Sequence, residues 1–177
     1  MFLLTGNPWT PVYAQIDLKY STVIIRDGAG TPNEIEITIG EGNLTWTEAR
    51  TMEYVLDRGN LDEVREGDQV PVDVSFDFTW EYIKGSSATG APPTVEEALK
   101  KIGNASSWVS SDTDACRPYA VDIIIVYDPA CTTGDVETIT LADFRWESID
   151  HDLRGGTVSV SGKCNITVPS VIRGPQT

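Results

Sequence analysis

From Val70 to Tyr82 the side chains alternate without interruption. Val70, Val72, Val74, Phe76, Phe78, Trp80 and Tyr82 fall on one side, and Asp73, Ser75, Asp77, Thr79 and Glu81 on the other. Successive side chains of an extended chain point to opposite faces, so this run is a strand with a dry face and a wet, acidic one. A helix would mix the two sets on every turn. Such a strand needs partners to cover its apolar side.

Those partners are present. Tyr20–Arg26 is rich in β-branched residues and closes on the turn Asp27-Gly28-Ala29-Gly30. Glu34–Ile39 alternates strictly, with Ile35, Ile37 and Ile39 on one face and Glu34, Glu36 and Thr38 on the other. Further strands are predicted at Tyr119–Tyr127, around Glu137–Leu141, at Asp143–Ile149 and at Thr157–Val168. The last sets Val158, Val160, Cys164, Ile166 and Val168 against a Thr, Ser and Asn face that includes Lys163. One helix is predicted over 95–102: Pro92-Pro93 precedes it, Thr94 and Glu97 form a capping box, and Gly103 supplies the stop. Val95, Ala98, Leu99 and Ile102 are its apolar stripe. The fold class is therefore mainly β, a β-sandwich or partly closed barrel with one flanking α-helix.

The 177 residues suit one domain, 1–177, which at this size buries roughly 70% of its unfolded surface and needs no disulfide or metal to hold a core. Residues 1–18 lack a sustained period and read as an N-terminal arm, and 169–177 as a C-terminal arm. The segment 41–69 is long, charged and weakly periodic, with Trp46, Tyr54, Leu56 and Leu61 as apolar points. It has room for strands at Leu44–Thr47 and Met52–Asp57. A loop of this length in a domain is usually functional or disordered, and its aromatic anchors favour function.

The net charge is −14, from 27 acidic and 13 basic residues. That excludes a surface built to grip phosphate, although not one that nucleic acid slides past. No run approaches the ~20 apolar residues of a membrane helix, and Met1-Phe2-Leu3-Leu4 is too short for the apolar core of a signal peptide. The chain is expected to stay where it is made. Cys116, Cys131 and Cys164 match no metal-ligand spacing. The strand between the first two would hold them about 33 Å apart, so free thiols are expected. The sequons at Asn43, Asn104 and Asn165 are read as incidental.

Catalytic chemistry finds little purchase. His151, between Asp150 and Asp152, has no nucleophile motif beside it and reads as a polar turn leading to Gly155-Gly156. Asp112 and Asp114 lack the Gly and Glu of a calcium loop, since Arg117 and Ile123 hold those positions. They read as a solvated loop. Asp73 and Asp77 lie about 13 Å apart along a strand, wider than a glycosidase pair. No enzyme activity, cofactor or metal is expected.

From Gly40 onward the phrasing resembles a family. Gly40-Glu41-Gly42-Asn43-Leu44-Thr45-Trp46-Thr47-Glu48 is followed by Glu53-Tyr54-Val55-Leu56-Asp57-Arg58-Gly59, Leu61-Asp62-Glu63-Val64-Arg65-Glu66-Gly67-Asp68 and Pro71-Val72-Asp73-Val74-Ser75-Phe76. Cys116-Arg117-Pro118-Tyr119 and His151-Asp152-Leu153-Arg154-Gly155-Gly156 come later. The chain resembles, from about residue 20 to 168, the tail tube (major tail) proteins of long-tailed bacteriophages. The resemblance implies a β-sandwich subunit of the virion tail, assembled in the host bacterial cytoplasm. Six subunits form a ring whose inner strands join into one lumen barrel. The rings stack into a conduit for genome ejection, with tape measure, terminator and baseplate proteins as further partners. DNA passes through without specific binding, and no membrane is involved.

The residues accommodate that picture. Asp73, Ser75, Asp77, Thr79 and Glu81, with Glu34 and Glu36 next, are the candidate lumen-facing residues, because an acidic wall repels DNA phosphate. The Thr, Ser and Asn face of 157–167 could complete the wall. Trp46, Arg50, Tyr54, Arg58 and Arg65 in the long loop are the candidate inter-ring contacts. Alternatives are an ordinary solvated face and a loop folded on its own subunit. At the level of function they are another ring-forming virion component (tail terminator, head–tail connector or baseplate hub) or a secretion-tube protein. A carbohydrate-binding module, with Trp9, Trp46, Trp80, Trp108 and Trp146 as stacking platforms, is the remaining reading; Trp80 lies in an apolar face and reads as core.

Overall fold

The computed structural model describes residues 20–39, 43–80, 91–128 and 135–175. In chain order these form β1 (Ser21–Arg26), β2 (Glu34–Glu36), β3 (Leu44–Thr47), β4 (Met52–Asp57), β5 (Asn60–Glu66), β6 (Val72–Thr79), α1 (Val95–Lys100), β7 (Val121–Tyr127), β8 (Asp135–Asp152), β9 (Thr157–Cys164) and β10 (Ser170–Pro175). The fold is mainly β with one α-helix among the described residues.

The alternation seen in the sequence becomes a continuous ladder of apolar side chains. Val23 and Ile25 of β1 lie opposite Ile125 and Ile123 of β7, which lie opposite Ile139 and Leu141 of β8. Phe144 of β8 faces Cys164 of β9. Cys164, Val160 and Val158 then face Val72, Phe76 and Phe78 of β6. All are buried in one core cluster, where the Phe76 and Phe144 rings meet at 5.9 Å between centroids. Each such side chain removed from water contributes about 1.5–3 kcal/mol. The antiparallel sheet runs β2-β1-β7-β8-β9-β6-β3, with β10 also on β8. It is not a closed barrel, but the segment after β2 links its two halves: Ile37 N–H donates to the Val23 carbonyl next to β2, and the Thr38 carbonyl accepts from Thr79 N–H of β6.

β8 serves both halves of the sheet. Its first part pairs with β7 and β10, and its second with β9. The change of partner falls at Asp143, whose φ of 56° is the left-handed region. Its amide donates to Asp122 Oδ1 at 3.0 Å, and its carboxylate accepts from Ser111 Oγ at 2.9 Å. Two strands expected at 137–141 and 143–149 are therefore one, bent at a residue whose short polar side chain tolerates that conformation. Close by, the β9 backbone at Gly162 runs so near β8 that a Cβ there would collide with the Arg145 carbonyl.

Helix α1 has the expected capping box: Glu97 N–H donates to Thr94 Oγ1 at 3.2 Å and Thr94 N–H to Glu97 Oε2 at 3.0 Å. It stops earlier than expected. Lys101 turns left-handed at φ 53° and Ile102 N–H closes on the Glu97 carbonyl, which leaves Ile102 exposed rather than in the apolar stripe. Tyr119 Oη donates to the Ala98 carbonyl at 3.1 Å and ties the helix down. The turn after β1 is held by Asp27, buried and accepting from the amides of Ala29, Asn33 and Val109 and from Asn33 Nδ2.

Other boundaries shift for local reasons. Regular pairing in Glu34–Ile39 stops at Glu36, because the chain crosses from β1 to β6, although Ile37 and Ile39 still point inward. Pairing of Thr157–Val168 ends at Cys164. Residues 170–175, expected as a C-terminal arm, are instead strand β10, which occupies the edge of β8 beyond β9 and is braced by Arg173 Nε on Glu137 at 2.7 Å. The expected N-terminal arm, 1–18, lies outside the described residues.

Gly162→Ala is expected to destabilise the protein by roughly 1–3 kcal/mol, as overpacking does. The outward-facing Ser159→Ala should change it by no more than about 0.5 kcal/mol. Urea unfolding midpoints of the two variants check both.

Candidate functional site

Residues paired directly across antiparallel strands share a face, so the register shows what surrounds the candidate lumen residues. Asp73 lies between Thr47 of β3 and Lys163 of β9, and Ser75 between Thr45 and Ser161. Asp77 faces Ser159, and Thr79 faces Thr157. β8 extends these rows with Arg145, Ser148, Asp150 and Asp152. The result is a polar sheet face of Ser, Thr and Asp. Its cations are local: Lys163 Nζ reaches Asp73 Oδ1 at 3.7 Å, and Arg145 turns to Asp112. Asp150 and Asp152 belong to this face and escaped the sequence reading, since only the β8–β9 register brings them there.

Glu34 and Glu36 lie elsewhere. They pair with Arg26 and Ile24 on the outer face of the other half of the sheet, in a row that continues through Ile24 to Ile124, which is buried. Glu34 is ion-paired with Arg26 at 2.5 Å. Their strand alternates like β6, but its pairing partner sets which half of the sheet they join. Glu81 lies outside the described residues.

Residues 43–69 of the expected long loop are described, and β3 and β4 fall where the sequence had room for strands. After β3, strands β4 and β5 form a separate two-stranded sheet. They meet in a tight turn, with Arg58 at φ 49° and Gly59 at φ 86°, the two positive values a type I′ hairpin requires. Tyr54 faces Val64, Leu56 faces Leu61 and Met52 faces Glu66. One face is therefore apolar and bare: Met52, Tyr54, Leu56, Leu61 and Val64 are 41%, 62%, 60%, 68% and 55% exposed. The other carries Glu53, Val55, Glu63 and Arg65, with Arg65 on Glu63 at 2.7 Å. Of the candidate contacts, Tyr54 is on the apolar face, Arg65 on the charged face and Arg58 at the tip. Arg50 precedes the hairpin, and Trp46 belongs to β3 opposite Val74. Met52 and Val64 were missed; a Gly turn between two alternating runs was the available signal.

Three other groups differ from expectation. His151 is on β8, not in a turn: its ring lies 5.0 Å from that of Trp80, and Nε2 is 3.3 Å from Glu96. Trp80 is 40% exposed rather than core. Asp112 is buried rather than solvated, accepting from Arg145 at 2.6 Å, from Arg117 at 3.3 Å and from the Asp114 amide. Trp108 is in the core, and Trp9 lies outside the described residues, so the tryptophans do not form a common stacking surface through Trp108. Cys116 is an exposed and Cys164 a buried free thiol, the latter pushed up to about 12 by burial and by Asp122 and Asp143. Cys131 lies outside the described residues.

The carboxylates split by environment. The Asp114 amide and the Arg145 guanidinium hold Asp112 below the usual range. The Lys100 ammonium lowers Glu96, against burial and with help from His151. Burial pushes Asp27 up, but its hydrogen bonds from Asn33, Val109 and Ala29 together outweigh it and leave it lowered. Asp122 is raised, chiefly by burial and also by Asp143. No group of three or more His, Cys, Asp or Glu among the described residues is placed to hold a metal, and no helix there is long and apolar enough to cross a membrane.

Among the described residues, architecture and surfaces define a mainly β protein with antiparallel sheets, one α-helix, a polar sheet face and an amphipathic hairpin. The chain is similar to one in the cryo-EM structure of the anti-feeding prophage (AFP) baseplate, 6-fold symmetrised, with a TM-score of 0.40 and 10% sequence identity over 92% of this chain and 96% of that one. No protein-family model and no curated protein matches it.

A raised carboxyl in the folded state binds its proton more tightly than in the unfolded chain, so ionised Asp122 lowers stability as pH rises above the ordinary value of 3.8. Asp122→Asn keeps an acceptor for the Asp143 amide and removes that charge. Its urea midpoint should exceed the wild type's at pH 7, with the gap closing toward pH 4. Asp27, Asp112 and Glu96 act in the opposite sense: their contribution is present above the ordinary carboxylate range and is lost on acidification through their lowered values.

Proposed function

We propose that the chain is a non-enzymatic structural subunit of a phage-type tail tube, which forms six-membered rings that stack around a DNA conduit. The observation that carries this reading is the hairpin. Five apolar side chains stand bare on one face of a two-stranded sheet, and an isolated hairpin is marginal in water. A patch of this kind marks a protein contact. The sequence resemblance to tail tube proteins supplies the kind of contact, one between copies of the chain.

The polar sheet face supports the second half of the reading. Ser and Thr hydroxyls lie among Asp73, Asp77, Asp150 and Asp152, which outnumber Lys163 and Arg145 on this face, and the carboxylates repel phosphate over about 8–10 Å at physiological salt. Asp73, Ser75, Asp77 and Thr79 are the residues assigned to the lumen. Glu34 and Glu36 are not, because they lie on the other half of the sheet. A tail terminator, head–tail connector or baseplate hub would share the ring but not the stack.

Leu56→Ser with Leu61→Ser should leave stability within about 0.5 kcal/mol, since both side chains are exposed, and should abolish stacking in negative-stain images of concentrated protein. Wild-type protein that gives long tubes supports the tube reading; single rings favour the alternatives. Unaltered tubes from the double variant would remove the hairpin from the contact. In virions, Asp73→Lys with Asp77→Lys should reduce infectivity while tails still form, and undiminished infectivity would take these residues out of the lumen.

A further inference from the structure

The hairpin has a tip chemistry, and the far end of the same subunit has a cleft that complements it. The cleft, about 510 Å³, lies between α1, β2 and the end of β6, a size that accepts several side chains. Ile35, Trp80, Pro92, Pro93 and Ile102 give it apolar walls. Trp80 and Ile102 are 40% and 50% exposed there. Glu36 lies on its rim and makes no ion pair among the described residues. At the hairpin tip, Leu56 and Leu61 pair on the bare face beside Arg58, which also makes no ion pair among the described residues.

Position adds direction to this match. The hairpin leaves the body where Thr51 and Gly67 close its base, just before β6 begins at Val72, and the cleft lies where β6 ends at Thr79 and Trp80. Seven residue steps of strand separate the two by about 23 Å. Donor and acceptor are different surfaces at opposite ends of one strand, so a contact between them can repeat head to tail along the strand direction.

We propose that the cleft between α1 and the end of β6 receives the β4–β5 hairpin tip of a second copy, with Leu56 and Leu61 on the Trp80–Pro92–Pro93–Ile102 wall and Arg58 on Glu36. This rests on the self-assembly reading above and names its acceptor. Of the other hairpin acids, Glu53 and Glu63 are on the opposite face, Glu66 is at the base, and Asp57 and Asp62 flank the tip, where Arg58 is the one cation. Glu36, which left the candidate lumen on structural grounds, acquires a role at the contact.

Two variants test the proposal: a donor-defective Arg58→Glu with Leu61→Ser, and an acceptor-defective Glu36→Arg with Ile102→Ser. Circular dichroism and urea melts first establish that both fold. By analytical ultracentrifugation each alone should stay at a single layer, whether monomer or ring. Mixed, the intact hairpin of one and the intact cleft of the other should give a species of twice that mass. An acceptor-defective variant that stacks like the wild type overturns the assignment, whatever else fills the cleft, and so does a mixture that gains no mass. Wild-type protein that forms no multimer at all would instead defeat the self-assembly reading itself.

Discussion

The Asp122–Asp143 contact is the joint on which the architecture turns. The sheet encloses its core with β8 changing partners at one residue of positive φ. The carboxylate of Asp122 holds the amide that this conformation turns away from the ladder, and Ser111 holds the side chain. Burial raises the Asp122 carboxyl, so the joint carries an electrostatic cost in return for its geometry. Where β9 passes the bent strand there is no room for a side chain, which explains Gly162. The buried ladder from Val23 to Phe78 depends on that bend, because without it β9 and β6 would not lie over β1 and β7.

The two surfaces that matter for function have opposite physical chemistry. The face of β6, β9 and the second half of β8 is hydroxyl-rich and acidic. The hairpin face is apolar and bare. The first is suited to staying wet beside a polyanion, the second to leaving water by meeting protein. A chain with both is organised around contact and non-contact, and the same eight-residue strand β6 links the polar face to the hairpin at its start and to the cleft at its end.

Much of this was legible in the residues, for reasons that can be named. β6 was clear because its period of two runs unbroken from Val72 to Thr79, and α1 because Thr94 and Glu97 form a local, reciprocal cap. The polar faces of β6 and β9 were legible one strand at a time. Their union with Asp150 and Asp152 was not, since register between distant strands leaves no mark in either alone. For the same reason Glu34 and Glu36 were grouped with Asp73 on charge, although pairing with β1 puts them on the other half of the sheet. Strand β5 was hidden by its charges: Glu63, Arg65 and Glu66 suggest a loop until Val64 and Leu61 are placed opposite Tyr54 and Leu56. His151, Trp80 and Asp112 were misjudged because their partners, Glu96 and Arg145, are far away in sequence.

The bare hairpin has a consequence for the protein's colloidal behaviour. Its apolar face favours association whenever two copies meet, whereas a net charge of −14 keeps them from meeting. The repulsion reaches about 30 Å at 0.01 M salt but only about 8 Å at 0.15 M, while apolar attraction is not screened in this way. If the subunits assemble as proposed, ionic strength would therefore tune how readily they associate.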